Sequence, residues 1–105
     1  MYKTINGIQH IGVGVPDTEI AWKWYRKFFG MDIPMFDGVA PAPLMDIYTN
    51  NETITKRATM IFSLQGGTAM EVVCPTSFKA THAKTKFQLG DLGIFTGHVK
   101  CKDIK

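Results

Sequence analysis

The sequence predicts an α+β fold with the element order strand, helix, strand, strand, strand. Three observations carry that expectation. Residues 7–16 alternate as a strand does, with Ile11, Val13 and Val15 on one face and His10, Gly12 and Gly14 on the other. Residues 18–29 carry apolar side chains at helical spacing between Asp17 and Gly30. Two apolar segments, 57–65 and 68–74, flank Gly66-Gly67, a strong hairpin signal.

Each element has its own local reasons. Pro16 ends the first strand, and Asp17 is a good helix N-cap. In the helix, Ile20, Ala21, Trp24, Tyr25 and Phe28 read as the core face. Lys23, Arg26 and Lys27 lie on the other side, and the basic residues come late, where the helix dipole favours them. Gly30 suits a left-handed C-terminal cap. The second strand falls within 31–40, where Met31, Ile33 and Met35 alternate. Pro34 makes it an edge or interrupted strand. Pro41-Ala42-Pro43 breaks it, and 44–56 reads as a polar loop with room for one helical turn. The third strand, 57–65, places Ala58, Met60, Phe62 and Leu64 on one face, and the fourth runs from Thr68 to Cys74 before Pro75.

A short segment near the end echoes the start. Gly7 to Asp17 can be laid over Gly93 to Asp103 with Gly, Ile, Val and Asp matching in place. The chain then divides into a complete unit over 1–75, a connector over 76–91, and the first strand of a second, incomplete unit over 92–105. The end at Lys105 reads as a truncation of that second unit.

Bulk properties exclude several function classes. The 105 residues suffice for one domain; 45% are apolar and 20% charged. Twelve basic residues against nine acidic ones give a net charge of +3, spread along the chain. Lys79, Lys84 and Lys86, with His82 between them, form the one basic cluster. No aromatic stacking platform accompanies it, so a nucleic-acid partner is not expected. Attraction of an anionic small substrate is compatible with it. Residues 1–6 lack a hydrophobic signal core and no apolar run reaches membrane-spanning length, so a cytoplasmic location and no membrane partner are expected. Cys74 and Cys101 form no paired motif and read as free thiols. No HExxH, GxSxG or phosphate loop is present.

The chemistry-bearing residues sit inside strands. His10 and Glu71 each occupy the middle of a segment that otherwise reads as core. A titratable group there needs a partner. A backbone carbonyl would serve His10, and solvent would serve Glu71. Yet Ala69 and Val73 share the Glu71 face and are apolar, which points to an enclosed face. A shared divalent cation would satisfy both residues.

The stretch His10-Ile11-Gly12-Val13-Gly14-Val15-Pro16-Asp17, the helix ending Trp24-Tyr25-Arg26-Lys27-Phe28-Phe29-Gly30-Met31, and Glu71 in a fourth strand together resemble the vicinal-oxygen-chelate superfamily. That superfamily includes glyoxalase I, bleomycin-resistance proteins and extradiol dioxygenases. The resemblance implies a βαβββ module with a mixed, curved sheet and the main helix packed on its convex face. It implies His10 and Glu71 as metal ligands, with Glu71 also a candidate catalytic carboxylate. The metal would be Fe, Mn, Ni, Co or Zn, chelating vicinal oxygens of a small-molecule substrate. The remaining ligands would come from a second module or from a second copy in a homodimer. His98 is a further candidate ligand, two residues beyond Thr96, which holds the position equivalent to His10. Thr96 also keeps open a second reading, a metal-free small-molecule binding protein of the bleomycin-resistance type.

Overall fold

The computed structural model describes residues 4–82, 86, 88–93 and 97–102. Four strands and one main helix follow the expected order: β1 (His10–Gly14), α1 (Thr18–Phe29), β2 (Ile33–Pro41), β3 (Thr55–Phe62) and β4 (Ala69–Pro75). A short 3₁₀ helix, Pro43–Tyr48, lies between β2 and β3. The strands form one mixed sheet in the order β1-β4-β3-β2. β2, β3 and β4 pair antiparallel, and β1 returns to pair parallel with β4. The first and last strands of the unit are thus neighbours, with Gly12 opposite Glu71.

The helix caps are those the sequence specifies. The Asp17 carboxylate accepts hydrogen bonds from the backbone N–H groups of Glu19 and Ile20, both at 2.9 Å. Such a cap contributes about 1 kcal/mol. Gly30 closes the helix at φ +63°, a conformation that glycine adopts without a Cβ penalty.

The packed face of α1 is rotated from the expected one. Ala21 and Tyr25 are half-buried as expected, but Ile20, Trp24 and Phe28 are exposed, while Thr18 is buried and Trp22 half-buried. The helix carries two apolar stripes four residues apart in spacing, so periodicity alone does not choose between them. The Trp22 indole N–H donates to the Met31 carbonyl at 3.1 Å, which fixes that ring on the inner side. The helix lies across β3 and β4 rather than β1. Ile11, on the apolar face of β1, is accordingly left partly exposed at the sheet edge.

The core is concentrated in the two central strands. Ile61 and Val72 are fully buried, and Met60, Ala58 and Ala69 nearly so. Edge strand β2 is mostly exposed and bulges between Pro34 and Phe36, where proline cannot donate to the ladder. β3 starts two residues earlier and ends three residues earlier than the pattern suggests. Leu64 falls in the following turn and is exposed. The hairpin loop is longer than Gly66-Gly67 alone: the Gly66 N–H bonds the Ser63 carbonyl and the Gln65 N–H bonds the Ser63 hydroxyl.

Of the strand expected over 93–101, residues 94–96 lie outside the described residues. Gly97 to Cys101 carry no strand pairing. A strand exists through its ladder partner, and residues 97–101 join neither edge of the sheet. Among the described residues, no helix is long and apolar enough to cross a membrane.

Candidate functional site

Register assigns the side chains to two faces. One row runs Gly12, Glu71, Met60, Phe36, and the next runs Gly14, Val73, Ala58, Gly38. Lys56 and Ala40 follow on the same face, because side chains repeat every second residue. The alternate set, Val13, Val72 and Thr59, belongs to the face that carries Arg57. Cys74 is on that second side as expected, its thiol 3.3 Å from the Pro16 carbonyl. Cys74 and Cys101 are both free thiols.

The two strand residues singled out by the sequence meet on the first face. His10 Nε2 lies 3.3 Å from Glu71 Oε2. Parallel pairing of β1 with β4 brings them together, with His10 diagonal to Glu71 and Gly12 directly opposite it. A Cβ on Gly12 would meet nothing within 4 Å, so the space beside the pair is open. Glu71 is 16% exposed and His10 34%, which leaves the pair reachable but partly desolvated.

The other ring nitrogen fixes what His10 can offer. Its Nδ1 is 3.0 Å from the Gln9 side-chain oxygen, and in the tautomer with Nδ1 protonated it donates there. Nε2 then faces a carboxylate oxygen. In that tautomer two lone pairs stand 3.3 Å apart, a place for a proton or a metal ion between them. The separation fits a metal: two donors each about 2.1 Å from one tetrahedral ion stand about 3.4 Å apart. Among the described residues, no group of three His, Cys, Asp or Glu side chains is placed to hold an ion. The pair by itself offers two donors. His98, the third candidate, does not join it, because its segment is not part of the sheet. Thr96 lies outside the described residues. His82 borders a separate hollow at the ends of β1 and β4, beside Pro16 and Pro75.

The sequence reading missed Lys56. Its Nζ is 3.4 Å from Glu71 Oε1, and its side chain is only 19% exposed. The signal was present: extending the Ala58, Met60, Phe62 alternation back by two residues places Lys56 on the same face. Starting the strand at Arg57 left it in the loop. Phe36, Gly38, Ala40, Lys56, Ala58 and Glu71 line a depression of about 290 Å³ beside the pair.

A second polar cluster occupies the opposite face near the β2 edge. Arg57 donates to both Asp37 oxygens, at 3.1 and 2.9 Å, and the Thr59 hydroxyl donates at 2.7 Å. The Arg57 hydrogen bonds, then that of Thr59, hold the Asp37 carboxyl below the usual carboxylate range. A depressed folded-state value contributes stability above the unfolded value, about 3.9, and loses it as pH falls through the folded one. The Asp37→Asn variant is therefore expected to be less stable than wild type near about pH 7, and the gap should close towards about pH 2. Urea unfolding at the two pH values measures it; a gap independent of pH would contradict the assignment.

No family model, curated protein or solved structure matches the chain.

Proposed function

We propose that the His10–Glu71 pair is half of a divalent-metal site in an enzyme module of the vicinal-oxygen-chelate type. The observation that carries this reading is the 3.3 Å approach of Nε2 to Oε2 from neighbouring parallel strands. The βαβββ order agrees with the resemblance in the sequence. Imidazole and carboxylate together suit Fe, Mn, Co, Ni or Zn. Two protein ligands do not make a tight site. The others are assigned to a second copy of the chain or to a second module.

When bound, such an ion supplies Lewis acidity towards two neighbouring oxygens of a small substrate. His10 and Glu71 hold the site, and Gln9 orients the imidazole; Lys56, 3.4 Å from the second Glu71 oxygen, competes with the ion for that carboxylate. In this reading Glu71 also serves as the carboxylate that takes a proton from a carbon next to those oxygens. Glyoxalase-like isomerisation and dioxygenase chemistry are both open to this arrangement.

Equilibrium dialysis against Mn²⁺, Co²⁺, Ni²⁺ and Zn²⁺, followed by elemental analysis, tests the proposal. Wild type is expected to retain metal, and His10→Ala and Glu71→Ala each to lose about tenfold or more in affinity. Equal retention by all three proteins would overturn it.

One observation favours a second reading. Lys56 already neutralises Glu71, which suits a metal-free binding protein of the bleomycin-resistance type. Small-molecule binding indifferent to a chelator would favour that reading; strict metal dependence would sink it.

A further inference from the structure

We propose that the depression beside the pair takes a small monocarboxylate with a flat apolar body, its carboxylate held by Lys56; this rests on the metal reading of His10 and Glu71. The floor is unusually bare. Gly38 is the register partner of Ala58, and Ala40 that of Lys56, so three of the positions on this patch carry a methyl group or nothing. A Cβ on Gly38 would meet no atom within 4 Å, so the space above the floor is open. Phe36, 45% exposed, offers a ring surface at one end. The volume, about 290 Å³, is at the lower limit for ligand pockets and suits one ring rather than a large molecule.

Lys56 supplies the charge. Among the described residues, it is the one cation lining the depression. Arg57, its neighbour in sequence, is on the opposite face and tied to Asp37. Asp37 also borders the depression, with its carboxylate turned to Arg57. The contact of Lys56 with Glu71 is long, at 3.4 Å, and an ammonium has three donors. An ion held by Glu71 and His10 would take up the carboxylate charge and leave Lys56 without its counter-ion. A single ammonium then matches a single negative charge. A phosphate dianion calls for more donors than this lining offers.

The test uses the zinc-loaded chain, with zinc content measured in each sample, and follows amide shifts during titration with benzoate, benzamide and phenyl phosphate. Benzoate is expected to bind roughly tenfold more tightly than either of the others. Lys56→Gln should erase that preference. Gly38→Leu, which fills the open space from a strand position, should remove binding of benzoate and benzamide alike. Benzoate no tighter than benzamide, tighter phenyl phosphate, or unchanged binding in Gly38→Leu would each overturn the inference while leaving the metal reading intact. Failure of wild type to take up zinc would overturn the metal reading and this inference with it.

Discussion

Ile61→Ala is expected to lower the unfolding free energy by about 3 kcal/mol, a large share of what a small domain possesses. Ile61 has no exposed surface and sits in β3, which has a strand neighbour on each side and α1 across its face. Truncation removes buried methylene groups and leaves a cavity that the paired strands cannot collapse into. Most other elements offer little compensation: β2 is largely exposed, and α1 turns Ile20, Trp24 and Phe28 outward. Urea denaturation followed by far-ultraviolet circular dichroism measures the effect. A loss below about 1 kcal/mol would mean that the core lies elsewhere.

Lys56→Met is expected to act in opposite directions on fold and site. Without metal, Glu71 loses its ammonium partner at a position where both side chains are mostly buried. The cost should be about 1–2 kcal/mol, since the pair keeps some solvent screening. With metal, the same substitution removes a competing cation from the carboxylate. Metal affinity should then rise about tenfold. Unfolding in the presence of a chelator gives the first quantity, and metal titration gives the second. A fall in metal affinity would show that Lys56 assists the ion rather than competing with it. A merely structural lysine would move stability and leave affinity unchanged.

Much of the fold was legible because local signals agreed. Gly30, Pro34 and Gly66-Gly67 act through backbone geometry and Asp17 through a capping side chain, and each stands where the sequence places it. His10 and Glu71 were legible as residues out of keeping with their strands. Their meeting depends on the parallel pairing of β1 with β4, a long-range event that no local pattern encodes. On α1, Ala21 and Tyr25 pack as expected, but Ile20, Trp24 and Phe28 turn outward and Thr18 and Trp22 take their place, because both sets lie at helical spacing beside Ala21 and Tyr25. The choice was made by the Trp22–Met31 bond and by the position of the sheet. Lys56 escaped notice because a strand boundary shifted by two residues moves a side chain from ladder to loop. The Asp37–Arg57–Thr59 cluster spans 20 and 22 residues of sequence and becomes visible only once β2 and β3 are in register.

The central claim is that His10 and Glu71 bind one ion. The most direct measurement is titration of the isotope-labelled chain with Mn²⁺, reading paramagnetic broadening residue by residue. Broadening centred on His10, Gly12 and Ala69 to Val73, and abolished in Glu71→Ala, is the predicted result. Broadening centred on His82 or His98, or spread evenly over the chain, would contradict it.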